Sequence, residues 1–329
     1  MSISQVLGAV ARALAAAACW ALLQGCAIAG GLHLLGTIAL PGTPGRIDHL
    51  AYAPDRQLLF IAGLGANTLE VVDVAAGRRI AQVRGMREPQ GTAWSTALAR
   101  AYVANGDAGT VQALEGVTAV ATARGLPDAD NLRLDDASGR LYVGFGHGIA
   151  VLDTRSLAVL RRYELPGHPE AFSLARDRLY VNVPEAGAVI VVDRDSGKTL
   201  GTWSVAPAAA NYPLALDANG HRLFVATRRP PTIRVLDSVT GQLESQLPIC
   251  GDADDLFFEP SGQRLYAICG DGHVNVIRVS GSGPYPIEQR VETSQGARTG
   301  LLVPELGRLF VAAPARAGRE AALLVFAID

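Results

Sequence analysis

From residue 34 to residue 329 short apolar runs alternate with clusters of turn formers, and the alternation repeats. A Leu or Ala, an aromatic and a small apolar pair recur seven times. The copies are Leu59-Phe60-Ile61-Ala62, Ala101-Tyr102-Val103-Ala104, Leu141-Tyr142-Val143-Gly144, Leu179-Tyr180-Val181-Asn182, Leu223-Phe224-Val225-Ala226, Leu265-Tyr266-Ala267-Ile268 and Leu309-Phe310-Val311-Ala312. The aromatics stand 38 to 44 residues apart. A period near 40 that holds four short strands is the spacing of a β-propeller blade.

Each unit reads alike. An apolar run such as 132–134 comes first, then a turn such as Asp136-Ala137-Ser138-Gly139, then the aromatic strand. A third run closes on Asp in Val71-Val72-Asp73, Val151-Leu152-Asp153, Val191-Val192-Asp193 and Val235-Leu236-Asp237. These are β-branched, apolar and bounded by turn formers, which predicts strands. The closing Asp is read as a turn cap, its carboxylate accepting backbone N–H bonds. The fourth run, such as Arg78-Arg79-Ile80-Ala81-Gln82-Val83, is polar, as an edge strand should be. The last unit has only one strand after Phe310, and residues 34–40 are positioned to supply its missing outer strand. The expected architecture is therefore all-β: a seven-bladed propeller whose N-terminal strand completes the last blade, leaving no open edge.

Residues 1–33 fall outside the repeat. One charge, Arg12, precedes the apolar run 13–23. Eleven residues are too few to span a bilayer, which takes about 20, and fit the core of a signal peptide over 1–25. Residues 26–33 read as a linker or anchor segment. Leu23-Gln24-Gly25-Cys26 resembles a lipobox with Cys26 as the lipidated residue, although Gln24 is unusual in it. Ordinary cleavage nearby and an uncleaved anchor are the alternatives. Export implies a bacterial periplasmic protein or outer-membrane lipoprotein, touching the membrane only through that N-terminal anchor.

Composition adds exclusions. A formal charge of −2 and a single lysine, Lys198, without any basic cluster, argue against a nucleic-acid partner. No hydrolase elbow, zinc-protease motif or phosphate loop occurs. The chain is expected to be monomeric.

Arg140-Leu141-Tyr142-Val143 with Ala150-Val151-Leu152-Asp153, and Arg178-Leu179-Tyr180-Val181-Asn182 with Ile190-Val191-Val192-Asp193, resemble the repeat of the YVTN/YncE-like seven-bladed propellers. The resemblance covers 34–329. Strings such as Arg46-Ile47-Asp48-His49-Leu50, Asp128-Ala129-Asp130-Asn131 and Gly167-His168-Pro169-Glu170 resemble an envelope branch of that family. It implies a fold, and propellers of this kind bind proteins, sugars, metals or quinone cofactors, so it leaves activity open.

Aligning the seven units on the aromatic locates a candidate site. Twelve residues earlier stand Asp48, Gln90, Asp130, Tyr212, Asp254 and Arg298, and Glu170 stands ten earlier in the fourth unit. His49, Asn131, Asp255 and Thr299 follow one position on. These positions open the innermost strands and should gather at one mouth of the channel, above an apolar body of Leu50, Leu132, Leu214 and Leu256. The expected ring sets five acids against the single Arg298, with His49 and His168 nearby. Ligand binding is thus assigned to Asp48, His49, Gln90, Asp130, Asn131, Glu170, Tyr212, Asp254, Asp255 and Arg298. Clustered carboxylates repel unless a cation intervenes, so Asp48, His49, Asp130, Glu170 and Asp254 are the candidate ligands of a divalent cation. The plainer alternative is that these acids cap turns and bind channel water.

Three functions remain: a non-enzymatic module presenting the mouth to a small ligand, metal or envelope protein; a lactonase-like metal hydrolase, on fold analogy; and a scaffold. No catalytic residue is assigned. Cys250 and Cys269 lie toward the same end of one blade, and in an oxidising compartment a disulfide is expected, against a free pair or a metal role.

Overall fold

The computed structural model describes residues 31–328; the signal segment 1–25, Cys19 and Cys26 lie outside them. The described residues form seven four-stranded antiparallel sheets. The innermost strands are Leu50–Ala53, Pro89–Ser95, Leu132–Asp135, Phe172–Leu174, Ala209–Asp217, Ala253–Glu259 and Thr299–Val303, and they define blades one to seven. Within blades one to six, successive strands pair in chain order. This is a β-propeller.

The repeated motif explains the packing. Each blade's second strand carries the aromatic, and both of its faces are covered by neighbouring sheets, so it reads as a continuous apolar run. Tyr102 of blade two packs with Leu141, Val143 and Leu152 of blade three. Tyr142 meets Phe172, Leu179 and Val181 of blade four. The same step recurs around the ring and ends with Phe310 of blade seven against Leu50, Leu59 and Ile61 of blade one. Each aromatic thus fills the wedge to the next blade. Where it is tyrosine, the hydroxyl can reach a backbone carbonyl there: Tyr102 donates to Thr154 O at 2.8 Å and Tyr180 to Ser238 O at 2.6 Å.

The aspartates closing the third strands cap turns as read from the sequence. Asp73 accepts from Ala76 N, Asp153 from Ser156 N, Asp193 from Ser196 N and Asp237 from Thr240 N. Blade seven has the order innermost Thr299–Val303, Arg308–Ala313, Ala322–Ile328, then Leu32–Ala39. The closing strand begins at Leu32 and not at 34, because Leu32 is buried and held by Gln289 of blade six. That side chain accepts from Leu32 N at 2.7 Å and donates to Leu32 O at 3.0 Å.

Candidate functional site

The side chains of the expected ring are placed by backbone geometry in two ways. In blades one, three and four the residue precedes the innermost strand and its N–H donates to the carbonyl two residues beyond the aromatic. These bonds run from Asp48 N to Ala62 O, Asp130 N to Gly144 O and Glu170 N to Asn182 O, at 2.8 to 2.9 Å. In blades two, five and six the innermost strand slips register between Pro89 and Thr92, between Asn211 and Leu214, and between Ala253 and Asp255. Gln90, Tyr212 and Asp254 fall within these bulges. A bulge removes a residue from the ladder and re-aims its side chain.

The result is a mouth pocket of about 270 Å³ lined from all seven blades: Arg46, Gln90, Asp128, Asp130, His168, Glu170, Tyr212, Arg228, Asp254 and Arg298. Directly alongside in sequence, His49, Asn131 and Asp255 line a separate cavity of about 390 Å³ in the channel body. Asp48 lines neither; it is fully buried. Thr299 is consumed structurally, its hydroxyl donating to Ile47 O at 3.1 Å.

Arg298 is not the lone cation that the alignment suggested. Arg228 Nη2 donates to Asp254 Oδ1 at 2.5 Å, and its guanidinium stacks over the Tyr212 ring at 3.9 Å. Arg46 donates to Asp48 at 2.9 Å and lies 3.9 Å from Asp254. Arg298 pairs with Asp252 at 3.1 Å. His168 lies between Asp128 at 3.3 Å and Asp130 at 3.8 Å. Alignment on one position missed Arg46, which stands two residues earlier, and Arg228, which comes from the hairpin between the second and third strands of blade five. Both were visible in the sequence, but only the hairpin's course brings Arg228 to the mouth.

These pairings disperse the acids. Among the described residues, one set of three or more His, Cys, Asp or Glu ligand atoms converges within 4.8 Å, namely Cys250, Cys269 and Asp271. Its two cysteines form a disulfide, with Cα atoms 5.8 Å apart. Of the five candidate ligands, Asp130, Glu170 and Asp254 line the mouth pocket, His49 lines the channel body and Asp48 lines neither, and they do not meet at one point.

Three groups in the pocket keep unused hydrogen-bonding capacity. Buried Asp130 Oδ1 and Arg298 Nε make no hydrogen bond to the protein. Among the described residues no cation lies within 4.0 Å of Glu170. Burial, then the neighbouring Asp130 charge, pushes the Glu170 carboxyl up to about 7. Burial lifts Asp254 to about 6 against the opposing pull of Arg228. Burial works against the His168 charge, but Asp130 and Asp128 outweigh it and raise this imidazole to about 9. His49, 3.5 Å from Asp255 and 3.7 Å from Asp48, is likewise disfavoured by burial yet held up to about 10 by Asp255 and then Asp48. Both histidines are therefore cations at neutral pH, and Glu170 is poised to exchange a proton there.

The channel body carries a charge deeper than the ring positions His49, Asn131 and Asp255. Leu50, Leu132, Leu214 and Leu256 are buried as anticipated, but Arg133 also lines the cavity.

No protein-family model matches this chain, and no curated protein does. Solved structures do. A chain of Kuenenia stuttgartiensis hydrazine synthase superposes with a TM-score of 0.73 at 16% identity, covering 83% of this chain and 93% of that one. A chain of the mitotic checkpoint complex superposes with a TM-score of 0.75 at 14% identity, covering 93% and 94%. At these identities the likeness establishes a β-propeller fold and nothing about activity.

Proposed function

We propose that this protein is an exported, non-enzymatic propeller that binds a small polar molecule of mixed charge at one mouth of its channel. One observation carries the reading. A single pocket, built from all seven blades, keeps a buried acceptor and a buried donor without partners, Asp130 Oδ1 and Arg298 Nε, beside the half-buried Glu170 carboxyl. Unpaired buried polar groups are rare because each costs about 1–3 kcal/mol. A ligand with a cationic and an anionic group, such as an amino acid, would satisfy both sets. The pairing of Asp254 with Arg228 and Asp48 with Arg46 favours this over a metal cluster, since those acids already have counter-charges. The YVTN/YncE-like repeat and the N-terminal segment support an envelope location.

Thermal-shift measurement with the proteinogenic amino acids tests the reading. A subset should raise the melting temperature of the native sequence and lose that effect in Glu170→Gln and in Arg298→Gln. If no amino acid shifts either form, the mixed-charge ligand is wrong.

Glu170 also supports a second reading. A carboxyl titrating near 7 in a pocket suits general acid–base work, as a lactonase-like hydrolase would need. Stoichiometric metal in the purified protein, together with lactone hydrolysis that is lost in an Asp130→Ala, Asp254→Ala double variant, would favour that enzyme.

A further inference from the structure

Every innermost strand places one residue directly across from the repeat aromatic. The pairs are Ala51–Phe60, Ala93–Tyr102, Arg133–Tyr142, Ser173–Tyr180, Ala215–Phe224, Phe257–Tyr266 and Leu301–Phe310. Six of the seven are small or apolar, as a packed propeller interior demands. Arg133 alone is charged.

The environment of Arg133 does not neutralise it. Its Nη1 donates to Leu132 O at 2.8 Å and reaches Asn131 Oδ1 at 3.4 Å. The guanidinium lies over the Phe172 ring at 5.3 Å. Among the described residues no carboxylate comes within 4.0 Å of it, and its Nε and Nη2 make no hydrogen bond to the protein. The nearest acid in the same cavity, Asp255, is engaged elsewhere: Oδ2 accepts from Gly300 N at 2.8 Å and Oδ1 faces His49 at 3.5 Å. Desolvation of this guanidinium lowers its pKa, with Asp255 and Asp130 opposing the shift. Arg133 is half-buried, and a charge held partly out of water with no counter-charge beside it is costly for a fold to carry. The Nε and Nη2 donors are also the edge of arginine that takes a carboxylate through two parallel bonds.

The space beside it is large enough for an organic molecule. The cavity of about 390 Å³ has walls from Leu50, Leu132, Leu214, Leu256 and Phe257, with Thr92 and Ser173 adding hydroxyls. We infer that the channel body is a second binding site, distinct from the mouth pocket, which takes a small organic acid with its carboxylate on Arg133 and its apolar body against the leucines. This goes beyond the mouth reading and does not depend on it, because none of the mouth-pocket residues supplies the binding groups.

The probes are benzoate, phenylacetate and hexanoate, each compared with its primary amide by isothermal titration at pH 7. Acid and amide match in shape and differ in the charge that Arg133 would read. At least one acid should bind about tenfold or more tightly than its amide, an increment of 1.4 kcal/mol. That preference should vanish in Arg133→Leu, with Arg133→Gln as the second variant should Leu disturb folding, as judged by circular dichroism. Glu170→Gln at the mouth should leave acid binding unchanged, which separates this site from the amino-acid pocket. Equal binding of acid and amide, no binding of any probe, or full acid binding by folded Arg133→Leu would each overturn the proposal.

Discussion

His49 and Glu170 are both shifted upward, yet in opposite chemical senses, and pH separates them. His49 binds its proton more tightly folded than unfolded, from an ordinary 6.5 to about 10. Its stabilising contribution is complete below about pH 6.5 and is lost as pH rises through 10. Urea unfolding of His49→Gln should therefore show its largest deficit against the native sequence near pH 6 and a shrinking one toward pH 10. A deficit that is constant with pH would show that the imidazolium is not held by Asp255 and Asp48. Glu170 also binds its proton more tightly when folded, from 4.5 to about 7, but its charged form is the disfavoured one. Stability falls as pH rises from about 4.5 through 7. Glu170→Gln should thus gain on the native sequence over that interval and hold the gain above it. An unchanged difference between pH 4.5 and pH 8 would contradict a carboxyl held above its ordinary range by partial burial and by Asp130.

At the level of the element, blade six carries the covalent tie. Cys250 precedes the innermost strand and Cys269 ends the second, at a sequence separation of 19. The bridge anchors the segment that presents Asp252 to Arg298 and Asp254 to Arg228. Closing a loop of this size contributes about 3 kcal/mol by restricting the unfolded chain. Cys250→Ala with Cys269→Ala should lower unfolding free energy by about that amount in urea titration, and a loss near zero would show that the bridge constrains little. The hairpin placed both cysteines toward one end of the blade, which made a bridge the expectation over a free pair or a metal role, and the structure forms it. The bulges were not foreseeable. Nothing in Pro89-Gln90-Gly91 or Cys250-Gly251-Asp252-Ala253-Asp254 separates an extra strand residue from a loop residue, because register is set by the neighbouring strand. Arg133 escaped notice for a related reason: in a strand read as apolar, one arginine between Leu132 and Leu134 looks like an edge residue until the sheet is closed around it.

At the scale of the whole molecule, the ring closes where strand Leu32–Ala39 pairs with Ala322–Ile328. Leu32–Ala39 covers the outer edge of blade seven, and Leu32, Ile38 and Leu40 are buried there. Burying three such side chains contributes roughly 5 kcal/mol. A chain beginning at Pro41 should be destabilised by roughly that amount relative to one beginning at Gly31, measured by urea unfolding, and should expose an unpaired strand prone to association. Equal stability of the two would show that ring closure by this strand is dispensable. The sevenfold plan was legible from the aromatic spacing alone, because each wedge between blades demands the same bulky side chain. The site was legible only as a ring of positions. Its charge balance depended on Arg46 and Arg228, which no single alignment column contains.

The most direct test of a mixed-charge pocket at the mouth is a crystallographic density map of the protein soaked with the amino acid that most raises its melting temperature. The account predicts density for that molecule within the mouth pocket, its amino group beside Glu170 and Asp130 and its carboxylate beside Arg298. A compact ion with Asp130, Glu170 and Asp254 drawn in to about 2.0–2.6 Å, or the molecule bound away from these residues, would contradict it.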